Sequence, residues 1–106
     1  MYRLEIPEAL WLDIKAYLDY TWNDDALTRK YQGFVRDGMA YINKKYGESA
    51  DYESDGLPRT LLFEYVRYAR DGALDVFENN YMSIILAMQN DRAVSSYEKK
   101  TIQTEQ

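Results

Sequence analysis

Because the sequence contains no histidine and no cysteine, any chemistry in this chain would have to rest on carboxylates, lysine, tyrosine or serine. Lack of histidine removes the usual general base at neutral pH and the commonest transition-metal ligand. The segment DYESDG at 51–56 has acids at its first, third and fifth positions and glycine at its sixth, as an EF-hand calcium loop begins. The match then fails, since Pro58 and Leu62 occupy the eighth and twelfth positions. The pattern therefore favours a solvated acidic loop over a calcium site.

Asp24 and Asp25 are adjacent carboxylates that could be taken for a catalytic dyad. They stand at the start of a predicted helix, where acids commonly accept free backbone amides and complement the helix dipole. No second carboxylate is placed by the sequence in a shared apolar pocket, which a raised pKa would require. We therefore predict a capping role, with Asn23 or Asp24 as the N-cap.

Other constellations that carry chemistry do not occur in the sequence. It has no glycine-rich phosphate loop, no GxSxG and no CxxC, and a carboxylate-bridged metal bundle would call for Glu-x-x-His motifs. Trp11 and Trp22 are more typical of a hydrophobic core than of a ligand site. The sequence therefore predicts no catalytic residues, no metal ligands and no cofactor, and hence a protein that is not an enzyme.

Length and net charge limit the classes of protein to which this chain could belong. With 106 residues, 46% of them hydrophobic, the chain predicts one small globular domain with a modest core. The net charge of the chain is −5, so we expect no stripe of basic side chains of the kind that binds nucleic acid. No apolar run is long enough to span a membrane, and the N-terminal residues do not read as a secretion signal. We expect no membrane partner.

Apolar residues recur at helical spacing, which predicts an all-α fold of three main helices. A short C-terminal helix or extended segment follows them, because periodicity alone does not separate helix from strand there. A polar, flexible tail is expected beyond it. The predicted ranges are helices at 7–19, 24–46 and 57–79, a helix or strand at 81–88, one helical domain over 1–90, and a tail over 91–106.

Gly38 and Gly72 each end an Arg-Asp-Gly tripeptide, and both fall inside predicted helices. A glycine within a helix costs about 1 kcal/mol relative to alanine, so close packing is the natural compensation. Both glycines are therefore predicted to mark a close helix–helix contact. Arg67 and Asp71 are predicted to pair on the outer side of the third helix.

Tyrosine is unusually frequent, with eleven residues. Tyrosine combines a large apolar ring with a polar tip, and it is enriched at protein interfaces. The alternative is that these rings cap the rim of a small core. The aromatic residues predicted as a subunit interface are Tyr20, Trp22, Tyr68 and Tyr81.

Residues 8–90 contain five short sequence patterns, which follow one another in a definite order. They are carried by Ile14, Lys15, Tyr17 and Leu18, by Asp24, Asp25 and Leu27, by Tyr41, Ile42, Tyr46 and Gly47, by Leu57 and Pro58, and by Phe77, Glu78 and Asn79. In this order they resemble the small helical head–tail connector proteins of tailed bacteriophages, also called adaptor or head-completion proteins. That family often has an arginine after the closing asparagine, where this chain has Asn80.

The resemblance implies a structural protein of the virion, made in the host cytoplasm and placed at the head–tail interface. Such proteins form a ring of about a dozen copies below the portal protein and extend the DNA channel. They offer a docking surface to a downstream connector or tail-completion protein, and DNA passes only as cargo. A disordered tail after Asn90 would order on the portal.

An acidic lining would repel passing DNA. The candidates for that lining are Glu48, Asp51, Glu53 and Asp55, with a merely solvated loop as the alternative. The competing function is a small helical protein–protein interaction module, regulatory or antitoxin-like, without catalytic activity. This alternative predicts a monomer or dimer with no affinity for a portal protein.

Overall fold

A computed structural model describes residues 4–21 and 24–104 of the chain. Within those residues the fold consists of α-helices and one short 3-10 turn, with no strand. The predicted all-α class is therefore confirmed. The elements are α1 Glu8–Tyr17, α2 Asp25–Tyr46, α3 Leu57–Arg70, the 3-10 turn Leu74–Val76, and α4 Phe77–Thr104.

Helix α2 begins and ends as its sequence predicts. The side chain of Asp24 accepts a 3.0 Å hydrogen bond from the backbone amide of Leu27, which makes Asp24 the N-cap. Asn23, the alternative cap, lies outside the described residues. At the other end Gly47 adopts the left-handed conformation, with φ at 97°, a conformation that glycine adopts without steric cost.

Helix α3 ends at Arg70, and the prediction that it continues to about Asn79 is wrong. Gly72, with φ at 70°, lies in the turn that stops the helix. The amides of Gly72 and Ala73 donate hydrogen bonds of 3.2 and 2.8 Å to the carbonyls of Ala69 and Tyr68. These two bonds form a Schellman motif, which satisfies carbonyls that the helix end leaves free.

Helix α4 is much longer than predicted, with 28 residues. Phe77, Glu78 and Asn79 open this helix and do not close the preceding one. The segment 81–88 is helical, so the strand alternative is wrong, and the helix continues across residue 90 to Thr104. The sequence after Asn90 lacks an apolar period, but it is rich in residues that favour helix and contains no proline or glycine.

The core lies between the helices and includes two residues outside them, Leu18 just after α1 and Tyr52 in the loop between α2 and α3. Helices α2 and α3 form the most extensive helix pair, and the whole molecule measures 55 × 28 × 28 Å. The buried hydrophobic residues are Leu10, Trp11, Ile14, Leu18, Val35, Met39, Ile42, Tyr52, Leu61, Leu62, Val66, Phe77, Ile85 and Met88.

Candidate functional site

The side of α4 that faces away from the core carries several large apolar side chains. Met82 is 41% exposed, Leu86 55% and Tyr97 72%. Helical spacing places these residues and Ala93, which is also exposed, on one face, because each lies a near-whole number of turns from the next. We call Met82, Leu86, Ala93 and Tyr97 the outer stripe. Val94, 46% exposed, lies beside it.

Polar contacts with the end of α2 and the loop after it hold α4 in place. Glu78 pairs with Lys45 at 2.7 Å and accepts a 2.6 Å hydrogen bond from the Tyr41 hydroxyl. Gln89 lies one helical turn before Ala93, and its side-chain amide donates a hydrogen bond to the Lys45 carbonyl at 2.9 Å. Because Ile85 and Met88 are buried on the opposite side, the outer stripe is displayed on a helix whose orientation is fixed.

Glu64 of α3 joins three helices through one carboxylate. It accepts hydrogen bonds from the hydroxyl of Tyr17 in α1, from Tyr81 in α4 at 2.8 Å, and from Arg67, one turn along α3, at 2.9 and 2.5 Å. Arg67 therefore pairs with Glu64 and not with the predicted Asp71, which pairs with Arg70. Nothing in the sequence pattern singles out Glu64, because its partners come from distant segments.

Electrostatics at Glu64 follow from its partners. Partial burial opposes ionisation, but hydrogen bonds from Tyr17, Arg67 and Tyr81 outweigh it and hold the pKa of Glu64 below its usual value. Partial burial and then the bond to Glu64 raise the pKa of Tyr81 to about 12. The same causes raise the pKa of Tyr17. A carboxylate kept ionised in this way is a structural clamp, since it is poorly suited to donate a proton at neutral pH.

Of the four aromatic residues predicted as an interface, three are half-buried against the core. The ring of Tyr20 contacts the ring of Tyr31, with centroids 5.2 Å apart. Tyr68 and Tyr81 contact each other at 5.4 Å in a separate cluster around Phe77. Trp22 lies outside the described residues. The structure thus brings Tyr68 and Tyr81 together, and the outer stripe, which sequence reasoning missed, is a more exposed apolar surface.

The four acids predicted to line a channel share the loop between α2 and α3, and all are exposed. Glu48 pairs with Arg92 of α4 at 3.2 Å. Asp51 accepts hydrogen bonds from the backbone amides of Glu53 and Ser54 at 2.9 and 3.2 Å. A bond from the Ser54 hydroxyl, and then these two amide bonds, lower the pKa of Asp51. Two of the four are thereby engaged within the molecule, while Glu53 and Asp55 present their charge to solvent.

Tyr52 anchors this acidic loop. Its side chain is buried, and its hydroxyl donates to the Met39 carbonyl at 3.1 Å and lies 2.5 Å from Oδ1 of Asn43. Burial raises the pKa of the Tyr52 hydroxyl well above its ordinary value. Among residues 4–21 and 24–104 no three acidic side chains are arranged to hold a metal ion.

The two glycines predicted at helix–helix contacts have different roles. At Gly38 a Cβ atom would lie 2.8 Å from Cδ1 of Tyr65 and 2.9 Å from Cδ1 of Leu62, so α2 and α3 approach closely there. Gly72 is not a contact residue, because a Cβ atom at that position would meet nothing within 4 Å. Its positive φ in the turn after α3 explains the glycine.

A shallow groove of about 270 Å³ lies between the end of α1, the start of α2 and the end of α3. Its lining includes Leu18, Leu27 and Tyr31, and its cation is Arg70. Arg70 donates to the Leu18 carbonyl at 3.2 Å and pairs with Asp71 at 3.1 Å. In the part of the chain that the structure describes, no helix is long and apolar enough to cross a bilayer.

The chain matches no protein-family model, no curated protein and no solved structure. Function must therefore be argued from the residues themselves, and the outer stripe of α4 is the surface that best supports such an argument.

Proposed function

We propose that this protein is a structural subunit that works through protein–protein contact, and that it is a head–tail connector of a tailed bacteriophage. The outer stripe of α4 carries the proposal. Exposed apolar side chains aligned on one helix face are typical of surfaces that bind another protein. Leu86 and Met82 are about half exposed, although Ile85 in the same turn is buried.

The connector assignment is supported by the order of sequence patterns from Ile14 to Pro58; the pattern Phe77-Glu78-Asn79 does not add to it, because it opens α4 and does not close α3. A ring subunit also needs a surface for its neighbours and one for the portal, and a helix of 28 residues, about 42 Å long, offers extended contact area. The charges of Glu53 and Asp55, which face solvent, would keep passing DNA from adhering to the loop. In this proposal DNA is cargo and the partners are other copies, the portal and a downstream connector or tail-completion protein.

A small regulatory or antitoxin-like interaction module is the competing proposal. The same stripe supports it, because a single amphipathic helix is a common docking element for one partner. The two proposals differ in assembly. A connector forms a closed ring of about a dozen copies, alone or on the portal, whereas the module stays monomeric or dimeric.

Sedimentation over a wide concentration range, with and without a candidate portal protein, tests the connector proposal. We expect a closed oligomer of about a dozen copies, alone or on the portal. Leu86→Glu should weaken the assembly, because it places a charge in an apolar contact. Leu12→Glu is the matched control, since Leu12 of α1 is 52% exposed and Leu86 is 55% exposed. A monomer or dimer that does not bind the portal protein at any concentration would favour the interaction module.

A further inference from the structure

The second half of α4 lies beyond the core. Among residues 77–97, Met88 is the last that is buried, yet the helix continues to Thr104. All residues from 93 to 97 are exposed, and this stretch passes through more than one full helical turn. No side of the helix is therefore buried over 93–97, so apolar packing does not hold this stretch in place.

The end of α4 depends on the turn that precedes it. Isolated helices shorter than about 12–15 residues are marginal in water, and the stretch from 93 to Thr104 is of that length. Its helical state therefore requires continuity with a turn that is anchored to the rest of the fold.

Arg92 anchors that turn to the C-terminal end of α2. Its Nε atom lies 3.2 Å from Oε1 of Glu48, and its guanidinium carbon lies 5.6 Å from the centroid of the Tyr46 ring. A Cβ atom at Gly47 would lie 3.5 Å from the same carbon and from Nη1, so the guanidinium packs over the backbone of the cap residue. We call this arrangement the Arg92 contact.

Three physical effects favour a cation at this place. Glu48 supplies the opposite charge, the Tyr46 ring attracts a cation, and the end of α2 is the negative end of its helix dipole. Lys45, in the last turn of α2, pairs with Glu78 and leaves Glu48 to Arg92.

The outer stripe has one half on each side of the Arg92 contact. Its first half, Met82 and Leu86, lies where α4 is packed on the core. Its second half, Ala93 and Tyr97, comes after Arg92 along the helix. The four side chains share one face only while the chain is helical on both sides of Arg92.

We infer that the Arg92 contact is a conformational switch for the outer stripe. While the contact is made, α4 is helical to its end and the stripe is complete. When the contact is broken, the stretch after Arg92 loses its helical order, and only Met82 and Leu86 remain in place. The inference rests on the proposed function, because the stripe is the proposed interaction face. Arg92 and Glu48 are both partly exposed, so salt screens their attraction and favours the open state.

Hydrogen exchange of the full chain, without a portal protein, tests the switch. Arg92→Gln removes the charge but keeps a similar helix propensity, and Glu48→Gln removes the opposite charge. Each variant should accelerate amide exchange over 93–104 by about threefold, the scale of an exposed ion pair, and leave exchange over 61–88 unchanged. Arg29→Gln is the control with the same change of charge, since Arg29 is exposed near the start of α2. It should change neither region.

Salt and a double variant distinguish the switch from a general loss of stability. In the natural chain, exchange over 93–104 should accelerate as the salt concentration rises, and Arg92→Gln should lose most of this dependence. A double variant at Arg92 and Glu48 should exchange no faster than the faster single variant. Fully additive effects, unchanged exchange in Arg92→Gln, or equal acceleration in all helices would each overturn the inference.

Sedimentation with a candidate portal protein separates this inference from the proposed function. Arg92→Gln should weaken the assembly, because it removes the second half of the stripe from the interaction face. Accelerated exchange together with an assembly as strong as that of the natural chain would support the switch and contradict the role of the stripe in the proposed function. Unchanged exchange would overturn the switch and leave the connector assignment unaffected.

Discussion

Tyr81 of α4 donates a 2.8 Å hydrogen bond to Oε2 of Glu64 in α3. The same carboxylate accepts a bond from Tyr17 of α1, so one side chain ties together three helices that are distant in sequence. Arg67 neutralises it from within α3. Since α4 carries the outer stripe, this clamp also helps fix the direction in which the proposed interaction surface points.

Glu64→Gln should destabilise the fold by about 1–3 kcal/mol, because hydrogen bonds to an ionised acceptor are stronger than those to an amide. Tyr81→Phe removes one of these bonds and should cost about 1 kcal/mol. Urea denaturation of both single variants and the double variant measures the coupling. If the two changes add up without interaction, the clamp does not act as one unit.

Stability should fall at both ends of the pH scale. The lowered pKa of Glu64 contributes stability that is present above its ordinary pKa of 4.5 and is lost as the pH falls through the folded-state value. The raised pKa of Tyr81 contributes stability that is present below pH 10.0 and is lost as the pH rises through about 12. Urea denaturation across pH measures both limbs.

Single variants show which side chain causes the loss of stability at low pH and which causes it at high pH. Glu64→Gln should flatten the decline on the acid side, and Tyr81→Phe should flatten the decline on the alkaline side. An acid limb as steep in Glu64→Gln as in the natural chain would show that other carboxylates cause it, such as Asp51 and Glu78, whose pKa values are also lowered.

Gly38→Ala should destabilise the protein by about 1–3 kcal/mol. The new Cβ atom would lie under 3 Å from Tyr65 and Leu62, and the buried Leu62 has little room to move. Gly33→Ala in the same helix is the control, because nothing lies within 4 Å of that position. It should stabilise the fold by about 0.5–1 kcal/mol through helix propensity alone. Thermal unfolding that ranks the two variants the other way round would remove the close-approach argument.

Asp19→Gly should stabilise the protein by about 1 kcal/mol. Asp19 lies in the turn just after α1 and has φ at 55°, a conformation that costs a residue with a Cβ atom more than it costs glycine. Gly72→Ala makes the opposite change at the end of α3, where φ is 70° and no atom obstructs the Cβ, and it should cost about 1 kcal/mol. Chemical denaturation should give shifts of opposite sign. Equal signs would show that backbone conformation does not govern these two turns.

Much of the fold follows from local sequence. The start of α2 at Asp24 and its end at Gly47 were predictable because capping depends on a few neighbouring residues. The extent of α4 was not, because its C-terminal part lacks an apolar period and its helicity rests on propensity and continuity with the packed first half. Local spacing relates Met82 to Leu86, but Ala93 and Tyr97 join them on one face only because α4 continues past residue 90. The exposure of the outer stripe became known only when Ile85 and Met88 were seen to fill the core from the other side.

The two Arg-Asp-Gly tripeptides have the same local sequence but take up different structures in the folded chain. The sequence by itself determined that the chain is helical, acidic, and without histidine or cysteine, because these properties belong to residues and their spacing. It did not determine that Gly38 stays inside α2 while Gly72 stops α3. Identical local residues leave both outcomes open. The packing of Tyr65 and Leu62 against Gly38, and the meeting of Tyr17, Glu64 and Tyr81, are decided by which helix faces come together in the folded chain.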